Sequence, residues 1–141
     1  LSYIEDAFLI FCVPIFSESL RHIQTTPKKI YAIDNGLIVA NTFNFSDNMG
    51  KLLENQVYLD LRRQGKKIFY YLTSDGYEVD FVTQDSQGKY EIIQVVWDMN
   101  DSDSFQRESR ALKQAKEELG ISGKIIDAQY YLEEFVLHSN Q

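Results

Sequence analysis

Three β-forming runs, Ile68 to Leu72, Glu78 to Thr83 and Tyr90 to Trp97, follow one another with only short links between them. The links carry Ser74-Asp75-Gly76 and Asp85-Ser86-Gln87-Gly88. Glycine supplies the positive φ of a tight turn, and Asp or Ser side chains satisfy the turn backbone. Parallel neighbours need a crossover of a dozen or more residues, so strands joined this closely pair antiparallel. The chain is thereby committed to a β-meander.

Segments of helical period bracket the meander. Residues 48–64 predict a long helix, with Asn48 as its N-cap and Gly65 as its stop. A second helix is expected from Asp103 or Ser104 to Leu119, ended by Gly120, and Lys124 to Ala128 predicts a last strand before a polar tail. Helix, three strands, helix and strand in that order define an α/β unit. Upstream, Ile4, Ala7, Phe8 and Phe11 recur at helical spacing and predict a short helix over Ser2 to Val13, stopped by Pro14. Val13 to Phe16 and Lys29 to Ile33 then predict a hairpin across a polar loop containing Pro27. Asp34-Asn35-Gly36 marks a turn or helix start, and Leu37 to Ala40 a short helical segment.

Composition fits one globular domain: of 141 residues, 44% are hydrophobic and 25% charged, enough apolar material for a core. The longest apolar run, around Ala7 to Val13, falls far short of the roughly 20 residues of a spanning helix. The single cysteine, Cys12, forms no intrachain disulfide, and no Cys/His cluster suits zinc, so a reducing, cytoplasmic setting is expected. The net charge of −7 argues against a high-affinity polyanion binder. Residues 1–67 hold 8 basic against 7 acidic side chains, whereas residues 68–141 hold 6 against 14. No Gly-rich P-loop, Gly-x-Ser-x-Gly elbow or His-Glu-x-x-His helix is present, so nucleotide hydrolysis is not expected of this chain alone. It begins at Leu1 without a Met or a signal segment, and is expected to be a piece of a longer protein.

Side-chain direction isolates a few candidates for chemistry. On the first long helix Glu54 shares a stripe with Val57, Tyr58 and Leu61, and a carboxylate on an apolar stripe needs a partner. In the second meander strand, Glu78, Asp80 and Val82 alternate with Val79 and Phe81, which places Asp80 on one face. Gln94 shares a face of the third strand with Tyr90, Ile92 and Val96. Two carboxylates and an amide oxygen are hard ligands of the kind Mg²⁺ or Mn²⁺ accepts, while the structural alternative pairs them with a cation or backbone amides. Arg107 and Arg110 open the second helix, and Glu108 lies near its apolar side and must find a donor. The cluster Arg62-Arg63-Gln64-Gly65-Lys66-Lys67 suits either phosphate contact or a solvated helix end. Tyr77 and the other meander aromatics are read as sheet packing, and Trp97 as core or edge packing.

The stretch from Tyr77 to Gln94 resembles the PD-(D/E)XK nuclease superfamily, with Glu54 matching its helix glutamate, Asp80 its second-strand aspartate and Gln94 the third-strand carboxylate. More narrowly, nearly the whole chain resembles a C-terminal domain of unknown function attached to prokaryotic AAA-type P-loop ATPases. The phrases that carry this resemblance are residues 27–37, Gly50-Lys51-Leu52-Leu53-Glu54-Asn55, residues 76–82, Ile93-Gln94-Val95, and residues 107–112. It implies a restriction-endonuclease-like mixed sheet flanked by helices over residues 34–141, preceded over residues 1–33 by a winged-helix remnant. It further implies a metal site of Glu54, Asp80 and Gln94 for Mg²⁺ or Mn²⁺, and an ATPase domain of the same polypeptide, which holds the ATP, as partner. Val96 stands where active members carry a lysine and Gln94 where they carry a carboxylate, so affinity for the metal and phosphate stabilisation are both weakened. Arg107 is the candidate replacement cation. Activity would require a Lys or Arg nitrogen within about 5 Å of the Asp80 carboxylate. Three readings follow: a degenerate nuclease-fold module that binds nucleic acid, a metal-dependent DNA phosphodiesterase using Glu54, Asp80, Gln94 and Arg107, and a protein-interaction or regulatory arm of the ATPase.

Overall fold

The meander forms the centre of a four-stranded mixed sheet. The computed structural model describes residues 9–41 and 49–137. Its strands are β1 (Ile10–Val13), β2 (Lys29–Ala32), β3 (Lys67–Leu72), β4 (Glu78–Gln84), β5 (Tyr90–Val95) and β6 (Gly123–Ile126). Its helices are α1 (Leu20–Thr25), α2 (Asn35–Ala40), α3 (Met49–Arg63), α4 (Ser102–Leu119) and α5 (Ala128–Tyr131), the last running into a π-helical turn, Leu132–Leu137. The order β3-β4-β5-β6 is antiparallel through the meander and parallel between β5 and β6, where α4 supplies the crossover. Gly65, Gly76, Gly88 and Gly120 all have positive φ, at the four places where the sequence predicts a turn or a helix stop. The α/β reading of residues 48–128 therefore stands, with boundaries shifted by one or two residues.

The N-terminal part departs from expectation. Residues 10–13 are strand β1, not the end of a helix, and pair antiparallel with β2 in the register Ile10↔Ala32 to Val13↔Lys29. The apolar residues that read as helical spacing also fit a strand, and pairing to β2 decides the matter. The rest of the predicted helix, residues 2–8, and the Asn48 cap lie outside the described residues. The polar loop between β1 and β2 contains α1, whose Ser19 side chain accepts from the His22 N–H at 3.3 Å. Beyond β6 the expected polar tail is helical over residues 128–137, with the Asp127 side chain capping α5.

Helices cover both faces of the sheet. On one side α3 contributes Leu53, Val57, Tyr58, Leu59 and Leu61 to a core with Phe81, Ile93, Val95 and Ile126. Val13, Ile15 and Tyr31 of the upstream segment belong to the same core, and Tyr31 stacks on Tyr58 with ring centroids 4.3 Å apart. After β1 the chain runs to the free edge of β3, where Phe16 N–H donates to Tyr70 C=O and Tyr70 N–H to Pro14 C=O. On the other side α4 packs Ala111, Leu112 and Ala115 on Val79, Val82 and Ile92.

The crossover is tight where α4 meets β6. A methyl group at Gly123 would lie 2.7 Å from Leu112 Cδ1 and 2.9 Å from both Cβ and O of Ile92. Because one of those neighbours is backbone, Gly123→Ala is expected to destabilise the fold by about 1–3 kcal/mol, read from chemical unfolding. Unchanged stability would show that both the Leu112 side chain and the β5–β6 pairing at Ile92 can give way without cost.

Candidate functional site

One irregularity in β4 builds the site. Phe69 pairs with Val82 and Tyr71 with Val79, so β4 has one residue more than β3 over this stretch. Such a bulge breaks the two-residue alternation and re-aims a side chain. Val79 and Val82 consequently share the α4 side, while Phe81 packs on the α3 side. The face that strict alternation would have Asp80 share with Val82 is therefore not shared: Val82 packs on the α4 side, whereas Asp80 meets Lys29. The β4–β5 pairing runs from Gln84↔Tyr90 to Phe81↔Ile93, and beyond it side chains take over the backbone groups. Asp80 N–H donates to Gln94 Oε1 at 3.1 Å, and Val95 N–H donates to Asp80 Oδ2 at 2.9 Å.

A cation that the sequence reading passed over completes this centre. Lys29 Nζ lies 2.7 Å from Glu54 Oε1, 2.9 Å from Glu78 Oε1 and 3.2 Å from Asp80 Oδ1. The ammonium has three hydrogens, and three carboxylates accept them. The Lys29, Glu54 and Asp80 side chains are 19%, 20% and 12% exposed, whereas Glu78, at 51%, sits at the rim. Tyr31 on the same strand donates its hydroxyl to Glu54 Oε1 at 2.7 Å. Burial, then the Glu54 charge, push that hydroxyl far above the ordinary tyrosine range, so it remains a donor.

The charges in the centre are unequal, and the ionisations reflect it. Burial and then the Glu54 charge push the Asp80 carboxyl up to about 7, against the opposing pull of Lys29 and the Val95 N–H. Burial works against the Lys29 ammonium, but Asp80 and then Glu54 hold its pKa above the ordinary lysine value. Lys29 is therefore charged at neutral pH.

The remaining predicted residues fall into place around a cleft of about 610 Å³, lined among others by Lys51, Glu54, Tyr77, Glu78, Asp80, Gln94, Trp97, Arg107 and Glu108. Glu54 and Asp80 are brought together, through Lys29. Gln94 is almost fully buried, and its amide is spent on the Asp80 N–H, the Glu78 C=O and the Glu108 carboxylate. Arg107 does not reach Asp80; it pairs with Glu108, 2.8 Å away, at the exposed rim. Glu108 thus finds both an arginine and an amide as donors. Trp97 is 44% exposed on the cleft, at the edge and not in the core, while Tyr77 packs as expected against the α4-side core, partly buried, and also borders the cleft. The basic cluster at the end of α3 is dispersed: Arg62 lies over the Phe11 ring at 4.1 Å, Arg63 pairs with Asp60, and Lys66 approaches Glu91.

Lys29 was legible in part. Residues i and i+2 of a strand share a face, so Lys29 points the same way as Tyr31 once the hairpin is accepted. The polarity pattern hides this, because Ile30, the apolar neighbour, is 51% exposed while the lysine faces inward. Only the carboxylates opposite make that direction favourable.

Does this donor set fit a divalent metal? Among the described residues no group of three or more His, Cys, Asp or Glu is arranged to hold a metal ion. Glu54, Glu78 and Asp80 each direct an oxygen to Lys29, the second Asp80 oxygen accepts from Val95, and the Gln94 oxygen is turned to the Asp80 backbone. As arranged, the residues do not fit Mg²⁺ or Mn²⁺.

Comparison with known proteins gives a family. A model described as a domain of unknown function, DUF4143, matches residues 49–138. The chain belongs to this family. It is also similar to the uncharacterized protein MJ1544 of Methanocaldococcus jannaschii, with 36% identity over 124 residues, covering 86% of this chain and 26% of that protein. The chain thus spans about a quarter of the length of the relative it matches. No solved structure matches. Lys29 and Tyr31 lie outside the stretch the DUF4143 model covers, while Glu54, Asp80, Gln94 and Arg107 lie inside it. Among the described residues no helix is long and apolar enough to cross a membrane.

Proposed function

We propose that this DUF4143 domain is a nuclease-fold module of a larger AAA-type ATPase that engages nucleic acid at the cleft and does not cut it. The observation that carries the reading is the meeting of Glu54, Asp80 and Gln94 along the wall of one cleft, with Lys29 paired to both carboxylates, the donor types of a nuclease centre with its cation already supplied internally. The cleft adds groups suited to a nucleotide strand. Lys51 and Arg107 offer charge to phosphates, and Trp97 and Tyr77 offer aromatic faces to bases. That MJ1544 extends far beyond the matched stretch agrees with a domain working as part of a longer chain. The acidic balance calls for weak binding here, with more positive surface supplied by that longer chain.

Labelled single-stranded and duplex DNA, titrated by fluorescence polarisation at low salt, tests the reading. Binding that weakens steeply with salt is expected, with a several-fold loss in Lys51→Ala/Arg107→Ala and no cleavage in Mg²⁺ or Mn²⁺. The lack of binding to either DNA at low salt would overturn it in favour of a protein-interaction arm. Mn²⁺-dependent cleavage lost in Asp80→Asn would overturn it in favour of a phosphodiesterase.

A further inference from the structure

The charge centre has a property that does not depend on nucleic acid. We propose that the Lys29 ammonium is its resident cation, occupying the position a divalent metal would need, and that Glu54, Glu78 and Asp80 become a divalent-cation site only when the ammonium is removed.

Three observations support this. The ammonium is bound as a small cation would be, by an oxygen from each of three carboxylates within 3.2 Å. A metal ion entering the same oxygens needs them at roughly 2.0–2.6 Å and has to meet a fixed positive charge in their midst. The strand carrying Lys29 is also held firmly. Asn55 Oδ1 accepts from Ala32 N–H at 2.8 Å and its Nδ2 donates to Ala32 C=O at 3.1 Å, while Tyr31 is buried against Tyr58. Lys29 is therefore delivered by the packed core and not by a loop that could swing away. Gln94, committed to backbone and Glu108, leaves the carboxylates as the groups a new cation could use.

Substituting Lys29→Met keeps the aliphatic stem and deletes the charge. The carboxylates are then close, partly buried and without their cation, a state that a divalent ion relieves. Mn²⁺ titrated by calorimetry into the 141-residue chain tests the idea, with thermal unfolding as a second readout. The wild type is expected to show no saturable Mn²⁺ binding and no change in Tm with Mn²⁺ or EDTA. Lys29→Met is expected to bind one Mn²⁺ at least ~10-fold more tightly and to gain Tm with it, and Lys29→Met/Asp80→Asn to lose both. Saturable binding by the wild type at this centre would overturn the proposal, as would a folded Lys29→Met that binds no better.

Should the variant not fold, the wild type alone still decides. Paramagnetic Mn²⁺ is expected to leave the Asp80, Gln94 and Val95 amide resonances sharp at equimolar concentration, and selective broadening there overturns the proposal. Because no arm contains DNA, failure here is distinguishable from failure of the nucleic-acid reading.

Discussion

Lys29→Met is expected to destabilise the chain by about 3 kcal/mol at pH 8 and by much less at pH 5, because removing one partner of a buried ion pair leaves the other charge uncompensated. Glu78 adds little to this figure, being half exposed and screened by solvent. The pH dependence comes from Asp80. Its carboxyl is pushed up to about 7 in the folded chain, above the ordinary value of 3.8, so the folded state holds that proton more tightly than the unfolded one. In the wild type this group contributes most to stability below pH ~4, and its contribution falls as pH rises to ~7. Lys29 opposes the rise, so in the variant the Asp80 pKa climbs further and the loss of stability continues above 7. The Lys29 contribution behaves differently. Its pKa is raised above 10.5, so the ammonium is charged at both pH 5 and pH 8; between them its contribution changes only through Asp80, and its own deprotonation removes it only as pH climbs above 10.5. Denaturant unfolding of both proteins at pH 5 and pH 8 checks the expectation. A gap between them that is equal at the two pH values would mean that the Asp80 charge contributes nothing to the stabilisation Lys29 provides.

Asn55→Leu is expected to cost about 3 kcal/mol, since each buried polar group left unsatisfied costs roughly 1–3 kcal/mol. Asn55 is 2% exposed and makes three hydrogen bonds, two to Ala32 and one of 2.9 Å to Asn35 Oδ1. Leucine fills a similar volume but leaves the Ala32 N–H and C=O without these partners. The effect extends beyond stability, because Ala32 lies three residues after Lys29 on the strand that delivers it. The two substitutions are therefore expected to be non-additive, the double variant losing less than the sum of the singles. Unfolding of the two single variants and the double variant measures this coupling. Simple additivity would show that Lys29 finds its carboxylates without the Asn55 clamp.

The carboxylate partners of Lys29 were easier to foresee than Lys29 itself. Glu54 stood out because a charged group on the apolar stripe of α3 must be compensated, and it is compensated by Lys29 and Tyr31. Asp80 stood out as an acid in a strand otherwise buried, and both of its oxygens find donors. Gln94 was readable as a buried amide but not in its role, because the place where the β4–β5 ladder ends is set by a bulge opposite β3. Arg107, chosen from its position at the start of α4, turned to the nearer Glu108.

Helix and strand periods, and the glycines at positions 65, 76, 88 and 120, act over a few residues, so the sequence by itself determined the meander, its two flanking helices and the last strand. β1 escaped that logic because four residues carry too little periodicity to separate strand from helix, and only pairing with β2 does so. The tertiary structure alone decided which cation enters the centre. Lys29 and Asp80 are 51 positions apart, and nothing local to either selects the other. Their contact follows from docking of the β1–β2 hairpin on α3 through Tyr31 and Asn55, and from the bulge that turns Asp80 toward it. Electrostatic attraction then fixes the last few ångströms, since three carboxylates brought together by packing require a positive charge among them.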